Sequence, residues 1–538
     1  MKQITGKGES NPDHRISIGH HAALVAAGIL LSRIAGLVRD RVFAYYFGSS
    51  DAADAFRAAF RIPNFLQNLF GEGVLSASFI PVYANLLARG KEEEADRVAS
   101  AVFCLLSLVL SCLVIAGVFA TPLLIDAIAP GFEGAKRELT ISLVRVLFPG
   151  AALLALSAWC LGILNSHRRF LISYTAPVAW NLVMIASLIG FGSHLGQFPL
   201  TRALAWGSVV GSAMQFGVQL PQVARLLRRF WVTLGVGMES VKTVIRNFVP
   251  VFISRGVVQI SAYIDALLAS FLPTGALASL VYAQTLYTLP VSLFGMSVSA
   301  AELPALSSVV GQTDEVTVYL RNRLNAGLRQ IAFFVIPSAM AFLALGDVIA
   351  GAIYQTGKFG RSEAVYVWAI LAGSAIGLLA TTLGRLYASM YYSLKDTHTP
   401  LRYAIVRVCL TAGLGYLSAI PLPPLLGMNA RWGVVGLTAS AGLCGWLELA
   451  LLRSSLKGRI GKTGLPGSFV LRLWTAAAIG AGAGWAGKLM MDLSHPIPLA
   501  IVSLGLYGAV YLGIALAFRV PEARGLISKA GGLAGFRW

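Results

Sequence analysis

Residues 31–41 read Leu31-Ser32-Arg33-Ile34-Ala35-Gly36-Leu37-Val38-Arg39-Asp40-Arg41, with four charged side chains inside an apolar run that extends from residue 20 to 47. In a soluble helix such charges would face water and mean little. Here they belong to a chain of 538 residues that is 56% hydrophobic and 12% charged, with a mean hydropathy of +0.71, far too apolar for a water-facing surface. The run therefore reads as a membrane-spanning helix that carries guanidinium groups into hydrocarbon.

Crossing ~30 Å of hydrocarbon takes about 20 helical residues, because only a helix or a closed barrel satisfies the backbone there. Fourteen apolar runs fit: 20–47, 53–87, 97–121, 139–164, 172–192, 201–223, 245–271, 275–308, 328–354, 364–391, 400–420, 431–452, 470–490 and 498–518. The expected fold class is an all-α polytopic membrane protein with about 14 transmembrane helices. With both termini cytoplasmic, the inside segments hold 28 of the 43 lysines and arginines. The outside segments hold only Lys136, Arg137, Arg202, Lys358, Arg361 and Arg431, the asymmetry that the positive-inside rule requires. The formal net charge of +19 is thus a topology signal and argues against nucleic acid as a partner. The polar lead-in before residue 20 and the long run after it predict a retained first helix, not a cleaved signal.

Cys104, Cys112, Cys160, Cys409 and Cys444 fall in apolar runs without disulfide or zinc spacing and read as packing residues, so no metal is expected. No Gly-x-x-x-x-Gly-Lys-Ser/Thr loop is present, so nucleotide hydrolysis is not expected either. Neither a cofactor nor an enzymatic activity is implied. The tail beyond Arg519 is basic and small-residue rich and suits the anionic inner leaflet; it carries no partner-binding motif.

The nine remaining basic residues lie within the runs: Arg33, Arg39, Arg41, Arg57, Arg61, Arg145, Arg255, Arg385 and Lys488. An arginine near the bilayer centre costs roughly 2.5–3.5 kcal/mol even on the lenient insertion scale, so it normally faces a bundle interior or a wet cavity. Arg41, Arg145, Arg385 and Lys488 sit close enough to helix ends to snorkel. At 100° per residue, Arg33 and Asp40 lie within about 20° of one another on helix one. Asp54, Arg57 and Arg61 follow at i, i+3 and i+7 on helix two, and the stripe continues through Asn68 to Glu72 if the helix runs on through Pro63. One reading is a set of structural ion pairs, with Asp40 and Asp54 compensating Arg33 and Arg57. The other follows from the sign count: five arginines face Asp40, Asp54 and Glu72, leaving two positive charges for a mobile anion. Pro63 and Gly71-Glu72-Gly73 mark expected breaks beside that polar middle.

The strings Ser32-Arg33-Ile34-Ala35-Gly36-Leu37-Val38-Arg39-Asp40, Asp54-Ala55-Phe56-Arg57-Ala58-Ala59-Phe60-Arg61-Ile62-Pro63-Asn64-Phe65-Leu66 and Gly71-Glu72-Gly73 resemble the signature of the MurJ (MviN) family of lipid II flippases. Phe271-Leu272, Val281-Tyr282-Ala283, Leu303-Pro304-Ala305-Leu306-Ser307, Tyr354-Gln355-Thr356-Gly357-Lys358-Phe359 and Tyr392-Ser393-Leu394-Lys395-Asp396-Thr397-His398-Thr399-Pro400 are similar to that family at the same relative places. The resemblance implies a multidrug/oligosaccharidyl-lipid/polysaccharide (MOP) exporter fold: two six-helix lobes, residues 1–223 and 224–452, around a central cavity, then a helix pair and tail over 453–538. It implies alternating-access movement of undecaprenyl-pyrophosphate-linked peptidoglycan precursor from the inner to the outer leaflet of the bacterial cytoplasmic membrane, for cell wall biosynthesis. Lipid II and membrane lipids are the implied partners, with other cell-wall synthesis proteins as the remaining class. The resemblance places Arg33, Arg39 and Arg61 on the headgroup, with Arg57 beside them, Asp40 and Asp54 orienting them, and Asn64 and Glu72 near the gate.

The sequence departs from the family at Gln67 and Asn68, where many members carry paired arginines, and at Gln284 and Thr285, where many carry Asp-Arg. Arg255, Gln259 and Tyr263, at i, i+4 and i+8 on helix seven, form a candidate replacement in which Arg255 supplies cavity charge. Asp265 matches an aspartate that binds sodium in some members, but from Leu401 to Ile420 there is no Asp or Asn, only Thr411 and Ser418 as aliphatic hydroxyls. Pairing with Arg255 or proton titration is therefore expected of Asp265 ahead of a sodium site. Three rival readings remain: a drug antiporter, which would want carboxylates and not surplus arginine; a flippase for another polyprenyl-linked glycan; and a non-transporting paralogue, which the neutral Gln67, Asn68, Gln284 and Thr285 would suit.

Overall fold

The computed structural model describes residues 12–299, 314–394, 396–490 and 495–526, without the side chains of 12–26, 72, 254–262 and 314. The expected spans are predominantly helical where described, the 53–87 run being divided into three helices at Gly71 and Phe79. The elements are α1 (Pro12–Phe47), α2 (Asp51–Phe70), α3 (Glu72–Ser78), α4 (Ile80–Ala88), α5 (Glu92–Ile128), α6 (Gly134–Ser166), α7 (Phe170–Gly192), α8 (Gln197–Leu226) and α9 (Glu239–Ser270). They continue with α10 (Ala276–Pro290), which runs into a π-helical turn (Val291–Met296), then α11 (Asp314–Tyr354), α12 (Arg361–Ser393), α13 (His398–Ala419), α14 (Gly433–Ile460), α15 (Gly467–Met490) and α16 (Pro496–Ala517).

Among the described residues, nine helices are long and apolar enough to cross a membrane. The five expected spans outside that set are α1, α2, α8, α9 and α13, and each is diluted by polar groups. They hold the arginines and aspartates of 33–61, the four glutamines of α8, Asp265 with Arg246 and Arg255, and Arg402 with Arg407. In hydrocarbon these residues are tolerable only on faces turned away from lipid.

The chain packs as two compact units, one comprising residues up to Phe47 together with Asp51–Tyr263, the other Gly48–Ser50 with Ile264 onward. The division falls inside α9, later than the 223/224 boundary read from the sequence, because the first part of α9 docks aromatically on α2. Phe248 and Phe252 lie 5.8 and 5.2 Å from Phe70, and Tyr263 meets Phe65 edge-on at 5.5 Å. In this first unit α6 is the central helix: 72% of its apolar window is buried, against 17% for α5. The outer face of α5 instead exposes Leu108, Ile115, Phe119 and Leu123, as a lipid-facing helix does.

In the second unit α12 packs between α11 and α14. Gly373 and Gly377 on α12 meet Thr438 and Gly442 on α14, and a Cβ on Gly377 would lie 2.4 Å from the Gly442 Cα. This is the small-residue crossing by which membrane helices gain dispersion contact without a hydrophobic driving force. Trp446 Nε1 donates to the Ile376 carbonyl at 2.8 Å and holds the same crossing. A Gly377→Leu substitution should therefore force α12 and α14 apart, at about 1–3 kcal/mol or more. The measurement is the thermal transition of purified protein, and an unshifted midpoint would refute this packing argument.

Some intrahelical cations behave differently from the sequence expectation. Lys488 does not merely snorkel: it forms an ion pair with Asp347 near a kink in α11 at Leu345. Arg145 and Arg385 are exposed, and Arg41 is half-buried. Cys160 and Cys444 are buried as packing residues, whereas Cys112 and Cys409 sit on exposed helix faces. Ahead of α13, hydrogen bonds from the Thr399 hydroxyl and backbone, with Arg459 at 2.7 Å, hold the Asp396 carboxyl down at about 2.

Candidate functional site

Helices α1 and α2 are joined by a short turn, so their facing sides are adjacent by construction. Asp40, 4% exposed, accepts hydrogen bonds from Arg39 Nη2 at 3.0 Å and Arg57 Nη2 at 3.2 Å. Arg39 reaches across to α7, where Nη1 donates to Asn181 Oδ1 at 3.1 Å and the guanidinium lies 5.0 Å over the Trp180 ring. Asn181 is oriented for this role because its Nδ2 is committed to the Pro177 carbonyl at 3.0 Å. Trp180 is fixed in turn by its indole N–H on the Ser208 carbonyl at 3.2 Å. The Arg57 guanidinium lies 4.4 Å from the Phe43 ring centroid. Two guanidinium groups thus share one carboxylate, flanked by aromatic faces that favour cations.

One turn earlier on α2 the signs reverse. Asp54, 1% exposed, accepts from Lys136 Nζ at 2.7 Å, and the same ammonium lies 3.0 Å from Asp51. Lys136 also sits 4.2 Å over the Phe132 ring. Beyond Arg57, α2 continues unbroken through Pro63 to Phe70, so the expected proline break does not occur. Tyr263 donates its hydroxyl to the Arg61 carbonyl at 2.6 Å, close to where the proline removes a backbone donor. The break falls at Gly71, extended at φ −85° and ψ −158°, where a Cβ would lie 2.3 Å from the Gln67 carbonyl oxygen.

The sequence-derived candidates therefore separate. Asp40 pairs with Arg39 and Arg57, not with Arg33, because the neighbouring helix supplies a closer guanidinium than the helix wheel does. Asp54 pairs with Lys136, while Arg57 reaches Asp40. Arg33 is exposed and has no hydrogen-bond or ion-pair partner among the described residues. Arg61 and Asn64 are half-buried on α2, and Asp265 is half-buried on α9. The side chains of Glu72, Arg255 and Gln259 lie outside the described residues, as does the Leu303–Ser307 segment. Sequence reasoning missed Lys136, Asn181 and Trp180. Only Lys136 left a signal, since Asp51 and Asp54 sit together at i and i+3 in the first turn of α2, one carboxylate more than Arg57 can compensate.

Residues 33–72, taken with Lys136 of α6, hold six cationic groups against Asp40, Asp51, Asp54 and Glu72, a surplus of two. Arg39, Arg57 and Lys136 are tied to Asp40, Asp51 and Asp54, whereas Arg33 stands exposed outside these pairs.

A family model described as lipid II flippase MurJ matches residues 43–496. The chain is similar to the lipid II flippase MurJ of Burkholderia cenocepacia, 30% identical over 510 residues that cover 92% of this chain and 96% of the relative. It is 32% identical over 446 residues to the probable lipid II flippase MurJ of Rhizobium tropici, covering 81% and 80%. Among solved structures it resembles a lipid II flippase MurJ in an inward closed conformation, with a TM-score of 0.75 and 24% identity over 94% of this chain and all of that one. An inward-facing multidrug resistance MATE family transporter of the MOP superfamily aligns with a TM-score of 0.61 and 18% identity, over 81% of this chain and 99% of that one. These two likenesses place the chain in the MOP exporter fold.

Proposed function

This chain belongs to the lipid II flippase MurJ family, and from that membership we infer that it carries lipid II across the bacterial inner membrane for peptidoglycan synthesis, by transport without covalent chemistry. A polyprenyl-linked precursor has a diphosphate and peptide carboxylates that cannot enter hydrocarbon unaided. A carrier must offer fixed cations in a wet space, and guanidinium groups suit phosphate oxygens best. The observation that carries the reading is Arg33: an exposed guanidinium within a membrane helix, outside every ion pair of the described residues, on the same element as a locked Arg39–Asp40 pair.

In this reading Arg33 and Arg61 hold the diphosphate. Arg39, Arg57, Asp40 and Asp54 are the frame that fixes α1 and α2 around it, and Asn64 and Glu72 border the Gly71 break. Arg255 adds cavity charge in place of the arginines missing at Gln67 and Asn68; Asp265, ten residues further along the same helix and so about 15 Å away, is out of its reach, which removes the expected Arg255–Asp265 pair. The finer architecture we assign is fourteen crossings in two six-helix lobes around a central cavity, two C-terminal helices, and both termini cytoplasmic.

The test is a strain depleted of its own precursor flippase. Expression of this chain should restore outward exposure of lipid II, and Arg33→Ala, present at equal membrane levels, should fail by tenfold or more, as expected for losing roughly 1.5–3 kcal/mol of charged hydrogen bonding. Full rescue by Arg33→Ala would sink the assignment of Arg33. No rescue by the unaltered chain would turn the substrate toward another polyprenyl-linked glycan.

A further inference from the structure

At the N-terminal ends of α12 and α14 the second unit holds a cavity of about 550 Å³, lined by Arg361, Ser362, Val365, Tyr366, Asn429, Arg431 and Trp432. Its wall is rigidly built. Tyr366, 3% exposed, donates its hydroxyl to the Arg431 carbonyl at 2.7 Å, while the Arg431 guanidinium lies 4.0 Å over the same ring. Asn429 Oδ1 accepts from the Arg431 backbone N–H at 2.9 Å, and Trp432, 41% exposed, stands edge-on to Tyr366.

The charge is unusual for its place. Of six basic residues read as external, Lys136 and Arg137 are spent on carboxylates. Arg361 and Arg431 converge on this cavity with no carboxylate partner among the described residues. The nearby acid, Glu363, is occupied by the Gly360 N–H at 3.0 Å and the Ser362 hydroxyl at 2.9 Å. Beside the cavity, Leu422, Leu425, Leu426 and Met428 are exposed, Leu425 by 80%, which in a membrane protein marks a segment seated in the interface.

We propose that this cavity binds the phosphodiester headgroup of an anionic phospholipid of the outer leaflet. Arg361 and Arg431 grip the phosphate from two sides, Asn429 and Ser362 meet the polar head, Trp432 lies along the glycerol region, and the leucines accompany the acyl chains. Two guanidinium groups give the bidentate geometry that phosphate oxygens prefer, and the Tyr366 ring beneath Arg431 fixes the position of one of them. The leaflet assignment rests on the orientation proposed above; the phosphate site itself does not.

Native mass spectrometry of the full chain in detergent tests the site, with phosphatidylglycerol and phosphatidylethanolamine added in equal amounts. The unaltered protein should retain phosphatidylglycerol preferentially, and Arg361→Gln, a change at an exposed first helical residue, should reduce that retention about tenfold. Arg431→Gln should do the same. Equal retention by both variants, or no preference between the two lipids, would overturn the proposal. Displacement of phosphatidylglycerol by stoichiometric lipid II would also overturn it, because the site would then belong to the substrate. Labelling of Ser362→Cys in intact spheroplasts by an impermeant maleimide, in a background without the five native cysteines, checks the orientation separately. Labelling from the cytoplasmic side alone would cancel the outer-leaflet assignment whatever the lipid result.

Discussion

Asp40→Ala should lower the stability of the purified protein by about 3–5 kcal/mol and abolish rescue of a flippase-depleted strain. The carboxylate is the shared counterion of Arg39 and Arg57, whose side chains are only 17% and 11% exposed. Removing it strands two guanidinium groups in a low-dielectric setting, where the penalty for an uncompensated charge exceeds what the intact pair contributes. Asp40→Asn keeps the shape and one acceptor oxygen, so it should fall between the two, losing the charge but not every hydrogen bond. Thermal unfolding followed by tryptophan fluorescence is a suitable readout, since Trp180 lies under Arg39. A midpoint unchanged in Asp40→Ala would mean that the cluster does not hold α1 to α2 and α7.

The existence of this cluster was legible in the sequence, and its wiring was not. Charged residues at helical spacing inside apolar runs identify a polar face whatever the fold, and Arg39, Asp40, Asp54 and Arg57 were singled out on that ground alone. Partner choice depends on the neighbouring helices, which a single-helix angle cannot see. Arg33 and Asp40 share a face of α1, yet Arg39, one residue from Asp40, folds its long stem back to reach the carboxylate at 3.0 Å. Lys136 precedes an apolar run and so counted as an external loop residue, but α6 begins at Gly134 and carries the ammonium onto Asp54. Lys488, read as a snorkelling cation near the end of its helix, likewise finds a carboxylate on another helix, Asp347 of α11. Asn181 and Trp180 bear no charge and belong to no periodic pattern, so nothing in the sequence marks them as ligands of Arg39. The helices themselves were read almost completely, because length and apolarity in a membrane leave few alternatives. The continuity of α2 through Pro63 was the exception. Tyr263 of α9 bonds the Arg61 carbonyl beside the proline and so ties this stretch of α2 to a neighbouring helix, a tertiary contact that local sequence cannot report.

The second large effect concerns Asp54 and Lys136, and here the informative experiment is the pair. Asp54→Asn leaves Lys136 with only Asp51, 46% exposed, as a counterion, while Lys136→Met leaves a carboxylate that is 2% exposed with no cation at 2.7 Å. The second change should therefore cost more, about 3–5 kcal/mol, with the first at the lower end of that range or below it. The double variant Asp54→Asn, Lys136→Met buries no net charge at this point and replaces an ion pair by an amide and a thioether of similar size. Its stability should recover to within about 1–2 kcal/mol of the parent, giving a coupling energy well above experimental scatter in a double-mutant cycle. Transport then separates two roles that stability alone cannot. If this pair only fixes the angle of α2 against α6, the double variant flips lipid II at near-parental rate. If the pair opens during the transport cycle, the double variant is stable but slow, because a neutral contact cannot be exchanged for hydration at the moment of opening. The ion pair joins α2 to α6, the central helix of its unit, and α2 is held to α1 as well through Arg57 and Asp40. The structural role is therefore the expected result, and strict additivity of the two single changes would remove the ion pair from the account of how α2 is held.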